Sequence, residues 1–256
     1  MAAERIDLAG VTYRYASEGR EVLAVDDVSF HVEAGEFLCV LGPSGCGKTT
    51  IMNMIAGFLS PSSGEIRIGG EALNGKRRDR GVVFQDFAQL FPWRTARRNV
   101  EFGLEMRRVP ASERRNTALE FLRMVGLEKF VDSYPHQLSG GMQQRVAIAR
   151  ALAYGPGVLL MDEPFAALDA MTRDEMQRLV TRIWSETGKT VVYVTHNVGE
   201  AVYLGDKVLV LDAHPGKVRA EFRLDLPRPR DPLSQPFIEA QRAITEALGT
   251  HRSAAR

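Results

Sequence analysis

The stretch GPSGCGKTT at residues 42–50 constrains this chain more than any other. Its glycines, lysine and threonine have the spacing of a phosphate-binding loop, in which backbone amides curl around an anion, the lysine reaches the β and γ phosphates and the threonine ligates magnesium. An apolar run, EFLCVL, precedes it and helical spacing follows it. The loop is therefore predicted at a strand-to-helix junction, with the helix N-terminus aimed at the phosphate, rather than in an incidental glycine-rich turn. The predicted ligand-binding residues here are Gly42, Pro43, Ser44, Gly45, Cys46, Gly47, Lys48, Thr49 and Thr50.

The composition suits a globular chain with a sizeable core. Its 256 residues are 45% apolar and carry a formal net charge of +1, which argues against wholesale nucleic-acid binding. No apolar run approaches the roughly 20 residues that span a bilayer, and MAAERIDLAG lacks an export signal, so a soluble cytoplasmic chain is expected. Cys39 and Cys46 offer no disulfide framework or metal spacing. Loop amides and Lys48 predict a lowered thiol pKa and ready reaction at Cys46, although an inert loop residue fits equally well.

Two runs of alternating polarity before the loop, separated by ASEGR, predict antiparallel strands. Alternation places Tyr13 and Tyr15 on one face of the first strand. Either one of them stacks on an adenine ring or both are ordinary strand residues, and the sequence alone leaves both readings open.

Helical periodicity replaces strands from about residue 87 to residue 153, which predicts an inserted helical subdomain. Within it, Ser112 is a predicted helix cap and Gly126 a predicted helix stop. The segment FPWRTARRNV places Trp93 among arginines. It is either a turn with a solvated basic face or a docking surface, since Trp and Arg are enriched where interfaces concentrate binding energy.

A second predicted anion-binding element is LSGGMQQR, in which Ser139 and two glycines open a long helix. Polar side chains also follow three apolar runs, at Gln85, Glu163 and His196. Open α/β sheets bind ligands at the carboxyl ends of their strands, so this shared position favours a binding site over ordinary strand-end residues. In GVLLMDEP, Asp162 is placed to hold magnesium and Glu163 to act as general base on a water.

These motifs in this order resemble the ATP-binding subunit of ABC transporters over about residues 5–220, and LSGGMQQR between the phosphate loop and LLMDEP is that family's own signature. The resemblance implies an α/β P-loop NTPase fold. Its expected parts are a RecA-like core with an antiparallel β subdomain (1–86 and 154–220), an inserted α-helical signature subdomain (87–153) and a C-terminal helical tail (221–256) packed back on the core.

The resemblance also implies roles for single residues. Tyr15 is similar to the adenine-stacking aromatic, Gln85 to the glutamine that senses magnesium and the membrane partner, and His196 to the switch histidine on the γ phosphate. ATP held by one subunit is expected to be closed over by the signature of its twin. The implied residues are Lys48, Glu163 and His196 for catalysis, Thr49, Gln85 and Asp162 for magnesium, Leu138, Ser139, Gly140, Gly141 and Gln143 for the signature, and Asp169 for the dimer loop.

By the same resemblance, the chain is expected to be an ATPase that uses ATP and Mg²⁺ as a homodimer on the cytoplasmic face of the inner membrane. Its expected partners are transmembrane permease subunits and, indirectly, a periplasmic or lipid-anchored solute-binding protein, with no nucleic acid. LFPWRTARRNVEFGL and AHPGKV resemble importers of taurine, alkanesulfonates and nitrate. FAQLFPW and Asn197 depart from the commoner pattern and leave the solute open, a thiamine-precursor-like pyrimidine included.

Two other classes compete with a transport ATPase. Soluble ABC proteins that act on DNA or ribosomes usually carry two cassettes or an inserted coiled coil, whereas this chain has one cassette and no sustained heptads. A small-molecule kinase shares the phosphate loop but does not account for LSGGMQQR.

Overall fold

A computed structural model describes residues 2–17, 20–73, 80–85 and 89–249. The expected boundary at residues 86–87 and the end of the tail, 250–256, lie outside the described residues. The strands are β1 (Ile6–Ser17), β2 (Arg20–Val32), β3 (Phe37–Leu41), β4 (Ser63–Ile68), β5 (Glu71–Ala72), β6 (Arg80–Val83), β7 (Val158–Asp162), β8 (Thr190–Thr195), β9 (Lys207–Leu211) and β10 (Val218–Arg223). The helices are α1 (Lys48–Ala56), α2 (Ala96–Met106), α3 (Ala111–Met124), α4 (Gly140–Ala153), α5 (Ala170–Thr187), α6 (Val198–Leu204) and α7 (Gln235–Gly249), with a 3₁₀ turn at Pro135–Gln137.

The chain divides into two compact units. One, the helical unit, is formed by residues 79–189 with the first two residues, and the other, the loop unit, by residues 3–78 and 190–256. The helical unit thus includes β6, β7 and α5 as well as the region of helical periodicity.

The loop unit contains two sheets. In one, β3 lies between β8 and β9 in parallel, and β10 pairs antiparallel with β9. All residues of β3, β8 and β9 are buried, which is why these strands read as continuous apolar runs rather than alternating ones. The second sheet has the order β2-β1-β4-β5 and is antiparallel throughout. Its β1–β2 pair confirms the antiparallel strands that the two alternating runs predicted.

The helical unit packs α2, α3 and α4 against one another and pairs β6 in parallel with β7. Gly126, at φ +74°, follows the end of α3 as predicted, but Ser112 lies inside that helix and the predicted cap is wrong. Pro110 occupies the N-cap instead, since its extended backbone turns the chain into the helix.

The expected strand over RGVVFQD is shorter than predicted. β6 ends at Val83, and Gln85 lies exposed two residues beyond it. The side chain of Gln89 accounts for the early end, because it accepts from the main-chain N–H of Phe84 at 3.2 Å and donates to its carbonyl at 2.9 Å. These two bonds replace a further pair of strand bonds.

The tail packs back on the loop unit, as predicted. α7 contacts α6, β9 and β10, and its Phe237 and Ile244 side chains are buried. Ahead of α7, buried Arg230 donates to main-chain carbonyls at the end of α6 and beyond β10, including Gly205 at 2.5 Å and Leu224 at 3.2 Å. In the part of the chain that the structure describes, none of the helices is both long and apolar enough to cross a bilayer.

Candidate functional site

The predicted phosphate loop joins β3 to α1, as expected. Gly47 caps α1 at φ +86°, and a Cβ there would approach the carbonyl oxygen of Ala24 to 2.9 Å, so this position requires glycine. Pro43, Ser44 and Gly45 are exposed on the loop. A glycine N-cap has no side chain to accept from the first-turn amides, and this helix start is therefore suited to an external anion.

The ammonium group of Lys48 lies inside the loop. It donates to the carbonyl oxygens of Gly42 at 2.8 Å and Pro43 at 3.0 Å. Thr49 in the first turn of α1 is exposed, whereas Thr50 is buried. A cation, exposed loop backbone and a hydroxyl at one helix start form a donor set that fits a magnesium-bound polyphosphate.

The Cys46 side chain faces away from solvent and is completely buried. A Cβ placed on Gly42 would come within 2.5 Å of its sulfur, so the thiol fills the space beneath the loop. The prediction that Cys46 reacts readily in an empty site is therefore wrong, because a thiol reagent cannot reach it in the folded chain.

Tyr15 is connected to the phosphate-loop helix. Its hydroxyl lies 3.0 Å from the hydroxyl oxygen of Thr50, and its ring packs edge-on against Tyr13 at a centroid distance of 4.8 Å. Tyr15 remains 41% exposed. Of the two tyrosines that alternation placed on one face, Tyr15 is thus the one held beside α1 with ring surface open to a ligand.

His196 directly follows β8 and is exposed. Its neighbours are fixed on both sides, because Thr195 is buried at the strand end and the side chain of Asn197 caps α6 by accepting from the N–H of Glu200 at 3.1 Å. In the loop unit, residues 42–50 thus lie at the junction of β3 and α1, His196 follows β8, and Tyr15 lies two residues before the end of β1.

In the helical unit, Asp162 is the last residue of β7 and is buried. Glu163 follows it in the left-handed backbone region, at φ +42°. A non-glycine residue rarely adopts this conformation, and such strain is concentrated at functional sites. Among the described residues, no group of three or more His, Cys, Asp or Glu side chains forms a metal site.

The signature residues surround the start of α4. Ser139 is the N-cap, as predicted, and its Oγ accepts from the N–H of Met142 at 3.3 Å. The Gln143 side chain donates to the Leu138 carbonyl at 3.1 Å. Gly141 is packed so closely that a Cβ would lie 2.7 Å from the methyl carbon of Thr172.

Asp169 caps α5. Its carboxylate accepts from the N–H of Thr172 at 3.1 Å and from the Thr172 hydroxyl at 2.7 Å. These bonds, the hydroxyl bond first, hold the pKa of the exposed Asp169 below its usual value. Thr172 therefore contacts both the α5 cap and Gly141 of the signature, a connection that sequence reasoning missed.

Comparison with known proteins decides the family. The ABC transporter family model matches residues 25–166. The chain belongs to the ABC transporter family. An uncharacterized ABC transporter ATP-binding protein of Methanocaldococcus jannaschii is 50% identical over 95% of this chain and 91% of its own length. Taurine import ATP-binding protein TauB of Roseobacter denitrificans is 50% identical over 80% of this chain and 76% of its own, and TauB of Rhizobium johnstonii is 50% identical over 88% and 85%.

Solved structures agree with this assignment. The dimeric ATP-binding cassette MJ0796, in a post-hydrolysis state bound to ADP and Pi, matches with a TM-score of 0.76 and 38% identity over 86% of this chain and 98% of that one. The cbiO1 subunit of Clostridium perfringens, part of an ABC transporter complex, matches with a TM-score of 0.79 and 28% identity over 96% of both chains. The chain is thus an ATPase subunit of an ABC transporter with the α/β P-loop ABC ATPase fold, as its motifs implied.

In this ABC ATPase the turn AHPGKV, at residues 213–218, contacts the phosphate loop. The sequence singled out this turn only through its resemblance to a group of importers. A Cβ on Gly45 of the phosphate loop would lie 3.5 Å from Cε1 of His214, and Gly216 donates to the Ala24 carbonyl at 3.0 Å. A Cβ on Gly216 would come within 2.2 Å of the Cys46 carbonyl oxygen. The turn AHPGKV therefore supports the loop from the side, through close backbone contacts that no local pattern reveals.

Proposed function

We propose that this chain hydrolyses ATP to energise import of taurine, related alkanesulfonates or nitrate through a membrane permease. The observation that carries the proposal is the 50% identity to taurine import ATP-binding proteins over most of this chain. The LFPWRTARRNVEFGL and AHPGKV segments support the same group of importers. As a peripheral subunit, the chain is then held at the cytoplasmic face of the membrane by its permease, which receives solute from an external binding protein.

Nucleotide binding is assigned to the loop unit. In this proposal Tyr15 stacks on adenine, the loop amides cradle the phosphates, and Lys48 exchanges its loop carbonyls for the β and γ phosphates. Magnesium supplies charge neutralisation on the phosphates when bound, and Thr49, Gln85 and Asp162 are the residues proposed to hold it.

Hydrolysis is assigned to Glu163 and His196. The Glu163 carboxylate orients and deprotonates the attacking water, while the His196 imidazole contacts the γ phosphate. The strained backbone of Glu163 supports this role, because strain of this kind persists where a side chain must be aimed at one place.

Two copies of the chain are proposed to enclose each ATP. Ser139, Gly140 and Gly141 of one copy then meet the nucleotide on the phosphate loop of the other. The exposed Ser139 at the start of α4, where the helix dipole is positive, supports this arrangement. A dimeric relative in a post-hydrolysis state supports it too.

The permease contact is assigned to a groove of 590 Å³ in the helical unit. It is lined by five arginines against two glutamates, with Trp93 71% exposed at its edge. Arg94 pairs with Glu105 at 2.7 Å and Arg97 with Glu101 at 2.6 Å, which leaves a net positive surface beside a large aromatic ring. Such a surface fits an acidic, partly apolar cytoplasmic segment of a permease.

Solute uptake tests the proposal. In a strain lacking this chain we expect uptake of labelled taurine, an alkanesulfonate or nitrate to be lost, and to return with the wild-type chain but not with Glu163→Gln. Unchanged uptake of all three solutes in the deleted strain contradicts the assigned substrate class.

A charge reversal tests the docking groove separately. Arg98→Glu, at an exposed position lining the groove, is expected to abolish uptake while the purified chain keeps its ATPase rate. Arg178→Glu, on the exposed side of α5, is the matched control and should support normal uptake. Normal uptake with Arg98→Glu removes the groove from the permease contact.

A further inference from the structure

A buried carboxylate lies next to the strand end that presents His196. Glu200 in α6 is only 5% exposed. Its Oε2 accepts hydrogen bonds from the Thr195 hydroxyl at 2.8 Å and from the Tyr193 hydroxyl at 3.1 Å. A buried carboxylate is costly unless it is hydrogen-bonded, and these two bonds satisfy Glu200. A buried acid at this position therefore suggests a role for the bonds themselves.

The Thr195 hydroxyl also forms a hydrogen bond with the residue that follows His196. Its oxygen accepts from the main-chain N–H of Asn197 at 3.0 Å, while its proton goes to Glu200. The chain from Thr195 to Asn197 is thereby closed into a tight turn around the His196 backbone, as side-chain hydroxyls do in short turns.

The Asn197 side chain is also hydrogen-bonded to Glu200. Its Oδ1 accepts from the N–H of Glu200 at 3.1 Å and starts α6. Asn197 and Glu200 have the spacing of a capping box, in which the glutamate would normally return to the N–H of the cap residue. Here the Thr195 hydroxyl accepts from that N–H and donates to Glu200, so the strand end before His196 and the helix start after it belong to one hydrogen-bonded network.

We propose that Thr195, whose hydroxyl is held by the buried Glu200, is a positioning residue that fixes the direction in which His196 reaches the γ phosphate. The inference rests on the proposed catalytic role of His196. Tyr15 and the phosphate loop bind the nucleotide through other contacts, so loss of this positioning lowers kcat and leaves the KM for ATP nearly unchanged. A small misplacement of a catalytic group costs up to about a hundredfold in rate.

The test uses Thr195→Val, which keeps the buried shape and removes only the hydroxyl. In the purified full chain we expect kcat for Mg-ATP hydrolysis to fall on the order of tenfold to a hundredfold, with the KM within about twofold. Thr195→Ser restores the hydroxyl and is expected to recover the rate. Tyr193→Phe is the matched control, because it removes a bond to the same Glu200 oxygen without touching the connection to Asn197.

A double variant separates this inference from the proposed function. If Glu200 and Thr195 act through His196, adding Thr195→Val to His196→Ala lowers kcat no further. A wild-type kcat for Thr195→Val, or equal losses for Thr195→Val and Tyr193→Phe, overturns the positioning role. Full activity of His196→Ala instead contradicts the catalytic assignment of His196, whatever Thr195→Val does. If Thr195→Val does not fold, Thr195→Ser, which is expected to fold, decides the question. A kcat of Thr195→Ser as low as that of His196→Ala would overturn the inference.

Discussion

The Nζ atom of Lys48 lies 2.8 Å from the carbonyl oxygen of Gly42, six residues earlier on the phosphate loop. A second bond of 3.0 Å joins it to the carbonyl of Pro43. The lysine side chain thus bonds two main-chain carbonyls at the start of the loop. In the proposed mechanism, ATP binding exchanges these two neutral carbonyl acceptors for charged phosphate oxygens, and charge-assisted bonds are about twice as strong.

Replacement of Lys48 by alanine should weaken ATP binding, since it removes both the loop contacts and the phosphate contact. A hydrogen bond to a charged group contributes roughly 1.5–3 kcal/mol, which corresponds to about a ten- to a hundredfold rise in Kd. Calorimetric titration with Mg-ATP measures the Kd of the variant and of the wild type. Lys129→Ala, at an exposed position of the helical unit, serves as the control. Equal affinity of the two variants would rule out the loop as the phosphate site.

Tyr15 should contribute to affinity through its ring and not its hydroxyl. Stacking on a base is worth roughly 1–3 kcal/mol by alanine substitution, so Tyr15→Ala is expected to raise the Kd for ATP about tenfold or more. Tyr15→Phe loses only the bond to Thr50 and should bind nearly normally. Tyr13→Ala, on the same face of β1, should have the smaller effect. A larger effect of Tyr13→Ala would move the adenine to that ring.

Much of the site could be predicted from sequence because its motifs are local. The glycines of 42–47 and the cap at Ser139 depend on backbone geometry within a few residues, and the structure confirms both. The length of β6 and the accessibility of Cys46 were mispredicted because side-chain packing decides them and the residue pattern does not show it: the Gln89 side chain bonds the main chain of Phe84, and the Cys46 thiol lies beneath Gly42. The Glu200 network was invisible because an Asn-x-x-Glu spacing does not reveal which way the glutamate turns.

Asp169 should stabilise the fold in a pH-dependent way. Its folded pKa is lowered by Thr172, so the stabilisation is fully present above the ordinary carboxyl pKa and is lost as the pH falls through the lowered value. Asp169→Asn keeps a capping oxygen without the charge. Urea midpoints should therefore be higher for the wild type at pH 7, and the difference should begin to shrink as the pH falls below about 4, the ordinary carboxyl pKa. A pH-independent difference would show that the charge of Asp169 is not involved.

Arg230 should be a major contributor to the stability of the loop unit. Burial lowers the pKa of its guanidinium to about 10, and the group donates to carbonyls at the end of α6 and beyond β10. Arg230→Met leaves these buried carbonyls without their donor and should lower the free energy of unfolding by roughly 2–4 kcal/mol. Arg242→Met removes an exposed pair with Glu246 and should cost less than about 1 kcal/mol. Similar urea midpoints for the two variants would contradict the role of Arg230.

Glu163→Gln tests the central claim, which is that two copies close around ATP before Glu163 activates the water. The amide keeps the shape of the carboxylate and cannot accept a proton, so ATP should bind normally while hydrolysis falls on the order of a hundredfold or more. Without turnover, the closed pair should accumulate.

The decisive measurement is sedimentation velocity of Glu163→Gln with and without Mg-ATP, alongside its hydrolysis rate. The account predicts a monomer without nucleotide and a stable dimer with Mg-ATP. A Glu163→Gln chain that remains monomeric at saturating Mg-ATP, or that hydrolyses ATP at the wild-type rate, would contradict it.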